Sequence, residues 1–224
     1  MKSKDLSWQL YLRKGIGKRL SLLGERLGIH SLIYNPFVMI DFHESGQHNA
    51  PKVVHAINQC FTGLAKVLDV GSGAGDFSAE FKKKGISPVA LEHSPYGRKL
   101  AAKLGVEAHP FDLLKNPPAS VSGTFDLAFC FEVAEHLPPA MGVNLIKFIC
   151  SFDCPIVFTA AHLGQGGTGH INEQPKEYWI EIFSRHSFSV DEGLTSKLST
   201  CFHETGASLW FEKNVLVLKR FEKR

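Results

Sequence analysis

Two sets of side chains in this sequence have the types and spacing to do chemistry. The first is acidic. Asp69 precedes a loop, Gly71-Ser72-Gly73-Ala74-Gly75, whose alternating glycines let the backbone turn tightly and meet a ligand without a Cβ in the way. A pyrophosphate-binding loop would need a third glycine one position later, where this chain has Asp76, and a carboxylate at Asp69 would repel phosphate. Asp69 suits a cation instead. Glu92, at the end of the next apolar run, carries two lone-pair-rich oxygens that match a vicinal diol such as that of a ribose. The second set mixes acids and imidazoles: Glu132, Glu135 and His136 stand at i, i+3 and i+4, on one face of a helical turn, with His162 and His170 following further on. Such a group could bind Mg²⁺ or Mn²⁺. It could equally take a proton from a hydroxyl, for which an imidazole near neutral pKa is the natural base, and His136, His162 and His170 are the candidates.

These residues need elements to hold them. Val67, Leu68 and Val70 read as a short buried strand, and Asp76 falls where a helix N-cap belongs, ahead of a helix over 77–84 stopped by Gly85. Strands follow at 88–92, 106–109, 125–131, 155–160, 188–191 and 214–218, with helices at 96–104, 141–152 and from Pro175 onward. The alternation of strand and helix predicts a parallel sheet covered on both faces. Before the first strand, Trp8, Leu12, Ile16, Leu20, Leu23 and Leu27 predict an amphipathic helix over 5–28, interrupted by Gly15 and Gly17. Residues 31–48 read as irregular, and a helix is expected over 50–61 with Pro51 in its first turn. His43 is a candidate pocket residue from the irregular stretch. The connection over 192–213 is long enough for a lid or substrate loop.

The bulk properties narrow the class. The 224 residues suit one α/β domain with an extension, 44% apolar content is that of a globular protein, and a formal net charge of +3 does not by itself call for nucleic acid. Lys2, Lys4, Arg13, Lys14, Lys18, Arg19 and Arg26 make the first thirty residues basic, which leaves RNA phosphates or a membrane surface open as partners of that segment. Five cysteines without a zinc-like spacing read as reduced thiols of a cytoplasmic protein. No apolar run is long enough for a transmembrane helix.

The run Asp69-x-Gly71-x-Gly73-x-Gly75 resembles the first motif of the class I, seven-stranded S-adenosylmethionine-dependent methyltransferases, and Glu92, Asp112 and Phe131-Glu-Val-Ala-Glu-His-Leu137 stand where that family has its later strand-end motifs. The resemblance implies a Rossmann-like, doubly wound, seven-stranded, mostly parallel sheet with the last strand antiparallel, over residues 63–224, and a helical extension or cap over 1–62. It implies S-adenosyl-L-methionine as cofactor, held by Asp69, Gly71, Ser72, Gly73, Gly75 and Glu92, with His93 beside the adenine, Asp112 and Leu113 on its polar edge, and Phe131, Glu132 and Val133 under the methionine part. An FExxEHL stretch is widespread in this fold among enzymes that need no metal, so no metal is expected. The run His170-x-Asn172-x-x-Pro175-x-x-Tyr178-Trp179 is similar to bacterial methyltransferases of saccharide and secondary-metabolite pathways, which implies O-methylation of a saccharide or small-molecule hydroxyl. A metal-assisted RNA 2′-O-methyltransferase and a non-catalytic cofactor-binding regulatory subunit stay open as alternatives. The oligomeric state is not read from the sequence.

Overall fold

The computed structural model describes residues 15–24, 26–27, 30–113 and 121–221. Seven strands form one sheet: β1 (Lys66–Val70), β2 (Ser87–Glu92), β3 (Ala108–Pro110), β4 (Leu127–Phe131), β5 (Ile156–Thr159), β6 (Phe188–Val190) and β7 (Leu216–Arg220), in the order 3-2-1-4-5-7-6. Strands β1 to β5 run parallel, and β7 is antiparallel to both β5 and β6. Alternate residues feed two cores, as a pleated strand buried on both faces must do. Leu68, Val70, Ala128, Cys130, Ile156 and Phe158 join one core with Trp179 and Phe183, while Val67, Leu127, Phe129 and Val157 join the other with Phe81, Ile57 and Phe202. The expected sheet is the observed one, with β3, β4 and β7 each starting two residues later than expected. The Val106 amide closes the preceding helix onto Ala101 O at 3.0 Å, so strand pairing begins only at Ala108.

Two expectations about connections are corrected. Residues 36–48 are not irregular: helix α1 runs from Pro36 to Cys60, capped by the Asn35 side chain, which accepts from the Phe37 and Val38 amides. Pro51 lies inside it. The hydrogen bond that Pro51 cannot donate would fall between Gln47 and Pro51, both solvent-facing, so water can serve the freed carbonyl and the cost is bearable. Residues 192–213 are not a lid but helices, Glu192–Thr205 and Leu209–Asn214, with Asp191 capping the Leu194 amide and Leu198, Cys201 and Phe202 buried against α1.

A third correction concerns the first helix. Residues 15–24 and 26–27 are helical, but Ile16, Leu23 and Leu27 of the expected inward stripe point out to solvent, 47%, 46% and 58% exposed. The buried face is made by Gly17, Ser21 and Gly24, small residues at spacings of four and three that let the helix come close to the start of α1, where Asn35 donates to Gly17 O at 3.0 Å. Close backbone approach has won over apolar periodicity. Trp8 and Leu12 lie outside the described residues, as do Lys2, Lys4, Arg13 and Lys14. The five cysteines are free thiols, and no described helix is long and apolar enough to cross a membrane.

Candidate functional site

The glycine loop joins β1 to helix α2 (Asp76–Lys83) at the C-terminal edge of the sheet. Gly71 has φ +82°, and a Cβ on it would come within 2.5 Å of the Val133 side chain, so the strand ends of β1 and β4 can be this close only with glycine at 71. Gly75, in the left-handed region, is the N-terminal flank of α2; Asp76 is the first helical residue and makes no cap, contrary to its expected role. Its carboxylate instead meets His43 Nδ1 of α1, at 2.9 Å from Oδ1 and 3.0 Å from Oδ2. Gly46, one helical turn further along α1, makes room for it: a Cβ there would stand 2.8 Å from Asp76 Cγ.

Three carboxylates gather around this loop, all buried. Asp69 accepts from Ser78 Oγ at 2.7 Å, and burial, joined by the charges of Glu92 and Asp76, pushes its pKa up to about 7. Glu92 accepts from the Gly73 amide at 2.7 Å and the Ser94 amide at 2.6 Å, and burial raises it too. Asp76 is likewise raised by burial, against the pull of His43. A concentration of carboxyl groups, each made harder to ionise by burial, is a site that favours an incoming cation and disfavours phosphate. Two further observations give it a ligand's shape. Nothing lies within 4 Å of where a Cβ of Gly73 would be, and Ser72 Oγ is buried with no hydrogen-bond partner. A nucleoside with an ammonium and a sulfonium but no phosphate fits this set.

The other members expected beside the loop are placed unevenly. Val133 stands against Gly71. Asp112 and Leu113 are half-buried just past β3. His93 is exposed, and its Nδ1 lies 3.1 Å from Phe111 O. Phe131 is packed among Phe77, Phe129 and Phe211, so it supports the floor of the site as part of an aromatic cluster.

Beyond β4 the arrangement changes. Glu132 has φ +53°, a conformation that only strong restraint holds in a non-glycine residue. The restraint is visible: its amide donates to Thr159 O, and its carboxylate accepts from Gln165 Nε2 at 3.0 Å and Asn214 Nδ2 at 3.1 Å. His162 joins the same group, its Nδ1 lying 3.0 Å from Gln165 Oε1 and 3.3 Å from Asn214 Oδ1. Glu132 is thus held by Gln165 and Asn214 while staying close enough to Glu135 for its charge to raise that residue's pKa, after burial the next cause. Glu135 and His136 sit in a short 3₁₀ turn, Ala134–His136, onto which the loop after β5 is strapped by the Ile171 and Asn172 amides, both donating to Glu135 O. The His136 and His170 rings meet edge to face at 4.9 Å between centroids. His136 Nδ1 donates to Gly169 O at 3.2 Å, and burial together with His170 lowers its pKa to about 4. His170 Nδ1 is 2.8 Å from Glu173 Oε1. The Tyr34 and Phe42 rings pack on His136, so α1 and the turn before it roof this part of the site.

Of the expected catalytic histidines, then, His136 and His170 are neighbours and His162 belongs to the Glu132 group. Sequence reasoning missed Asn214, Gln165 and Thr159. Asn214 is 82 residues from Glu132 and left no signal, whereas Glu173, three residues after His170, belongs to a run whose spacing already stands out.

The same picture emerges from similarity. Residues 42–151, about half of the chain, match the family model of a methyltransferase domain. A ubiquinone biosynthesis O-methyltransferase of Xanthomonas oryzae pv. oryzae is 32% identical over 79 residues, 33% of this chain and 33% of that protein, so the chain spans about a third of the length of the curated relatives it matches. Among solved structures, an amino pentose methyltransferase of Micromonospora echinaspora with S-adenosylmethionine bound superposes with a TM-score of 0.60 at 16% identity, covering 82% of this chain and 97% of that one. A TehB-like methyltransferase of Corynebacterium glutamicum gives 0.60 at 15% identity over 84% of this chain and all of that one, 100%. Residues 42–151 thus match the methyltransferase-domain family, and the strand order and the likeness to these solved structures are those of the class I S-adenosylmethionine-dependent methyltransferase fold.

Proposed function

We propose that this protein transfers a methyl group from S-adenosylmethionine to a hydroxyl of a saccharide or other small metabolite. The observation that carries the cofactor half of the reading is the convergence of buried Asp69, Asp76 and Glu92 on an open glycine loop. Glu92 keeps lone pairs for a ribose diol while two backbone amides fix its orientation, and Asp112 stands past β3 for the adenine amino group. Asp69 offers negative charge to the ammonium, and Ser72 Oγ an unused donor and acceptor. Bound there, the cofactor supplies a methyl carbon already activated by its sulfonium.

The acceptor half rests on the histidine wall past β4 and β5. Its residues must align a hydroxyl and accept its proton. His136 is neutral at physiological pH but, with its pKa lowered to about 4, a weak base; it orients more than it abstracts. His170, braced by Glu173, and His162, beside Gln165, are better placed to take the proton. The match to an O-methyltransferase and the likeness to an amino pentose methyltransferase support an oxygen acceptor on a small, sugar-like molecule. The described part of residues 1–62 is read as a cap, a role supported by the contacts of Tyr34 and Phe42 with His136 and of His43 with Asp76.

Calorimetric titration with S-adenosylhomocysteine in wild type and Glu92→Ala tests the first half. Micromolar binding that collapses in the variant is expected, and a folded wild type that gives no heat removes the reading. Mass-spectrometric detection of a 14-Da gain across a panel of sugars, phenols and short RNAs tests the second; modification of RNA alone would replace the small-molecule acceptor.

A further inference from the structure

Glu135 is the most anomalous side chain in the described molecule. It is fully buried, and neither carboxylate oxygen has a hydrogen-bond partner. A buried carboxyl left this way has lost its solvation with little in return, the situation that a missing cationic partner would relieve. It lies between the Glu132 carboxyl on one side and the imidazoles of His136 and His170 on the other. One ligand atom each from Glu135, His136 and His170 lie within 4.8 Å of one another.

We propose that Glu135, His136 and His170 bind one divalent transition-metal ion. Two imidazole nitrogens and one carboxylate oxygen are a donor set for Mn²⁺, Fe²⁺, Co²⁺ or Zn²⁺ rather than for Mg²⁺ or Ca²⁺, which take oxygen ligands throughout. Metal–ligand bonds of about 2.0–2.2 Å put neighbouring ligand atoms roughly 3.0–3.5 Å apart, so the widest separation in the cluster would contract by about 1.5 Å on binding, within reach of side-chain rotation. Its surroundings are already those of ligating histidines. His136 Nδ1 donates to the Gly169 carbonyl and His170 Nδ1 to the Glu173 carboxylate, contacts that fix both rings and leave each lone pair on Nε2. The two backbone hydrogen bonds from Ile171 and Asn172 to Glu135 O hold the His170 loop on the turn that carries the other two ligands. Glu132, engaged by Gln165 and Asn214, is outside the set. The role that follows, a Lewis acid lowering the pKa of an acceptor hydroxyl in place of a histidine base, rests on the methyltransferase reading; the binding itself does not.

The test uses the full chain, stripped with chelator and titrated calorimetrically with MnCl₂ and with ZnCl₂, followed by visible absorption after loading with Co²⁺. The expected result is saturable uptake of a single ion, d–d bands in the Co²⁺ form, and binding weakened by roughly tenfold or more in both His170→Ala and Glu135→Gln, with His203→Ala, an exposed histidine elsewhere, unchanged. His170 sits on a loop, so its variant should fold even where Glu135→Gln does not. No uptake by folded wild type, or uptake equal in wild type and His170→Ala, overturns the site. S-adenosylhomocysteine titrated into the same sample separates the two claims: metal uptake without nucleoside binding would remove the methyltransferase reading and keep the metal site, and nucleoside binding without metal uptake would do the reverse.

Discussion

The two halves of the candidate site are built in different ways. Around the glycine loop, Asp69 and Glu92 are held by groups near them in sequence or on an adjoining strand, Asp69 by Ser78 and Glu92 by Gly73 and Ser94, while Asp76 reaches to His43 of α1. Past β4, the acids and histidines hold one another through side chains drawn from far apart, Glu132 with Gln165 and Asn214, His136 with Gly169 and His170. The first half is anchored in the backbone of the sheet, and the second in a polar network on loops. The difference implies that the cofactor side is shared architecture and the acceptor side is where this chain's own specificity resides.

The comparison breaks most readily at Glu92. Glu92→Ala removes the diol acceptor and leaves the Gly73 and Ser94 amides without their partner, so S-adenosylhomocysteine affinity should fall by about 10- to 100-fold, measured by calorimetry on samples with an intact circular dichroism spectrum. Asn214→Ala should do the converse. It removes the donor shared by Glu132 and Gln165, and should leave nucleoside affinity within about twofold while loosening residues 161–174, seen as faster hydrogen exchange in that loop and a raised acceptor KM.

Asp69 sharpens the contrast through pH. Its folded pKa of about 7 lies above the ordinary 3.8, so the folded chain keeps a proton that the unfolded chain releases. The stability this gives is complete below about pH 4 and is lost as pH rises toward 7, on the order of a few kcal/mol. Thermal unfolding of the nucleoside-free protein should therefore show a falling Tm from pH 5 to 8, and Asp69→Asn should flatten that slope; an equal slope in both would place the titrating group elsewhere. The smallest effect is expected at His93. Exposed, with its Nδ1 on a backbone carbonyl, it should change nucleoside affinity by less than about threefold when replaced by alanine.

The same division governs how much could be read from residues alone. The strand positions, the glycine loop and the acids at 69 and 92 follow from local spacing, since strand length, turn chemistry and end position are all short-range, whereas the sheet type, seven strands with an antiparallel edge, rests on the family resemblance. The failures were of two kinds. Asn35-Pro36 is a cap-and-start signal for α1 that Pro51 obscured, because an exposed proline in a helix face is tolerated where a buried one would break it. Asp191 and Gly206 likewise bracket the helix that was taken for a loop. These were legible and missed. The pairing of His43 with Asp76, of Glu132 with Asn214, and the burial of Gly17 rather than Ile16 depend on which elements meet in three dimensions, and no local pattern announces them.

Asn214 has a consequence in time. A chain emerging from the ribosome has every residue of its carboxylate ring once Glu92 is out, and β1, β2 and α2 can begin to pair and close the glycine loop while the rest is still being made. Glu132 must wait. Its left-handed backbone and polar contacts gain Thr159 and Gln165 only with β5 and the loop after it, and are complete only when residue 214 arrives, just ahead of the antiparallel β7. The pocket for the cofactor can thus form early on the growing chain, whereas the wall that chooses what is methylated is among the last features to be assembled.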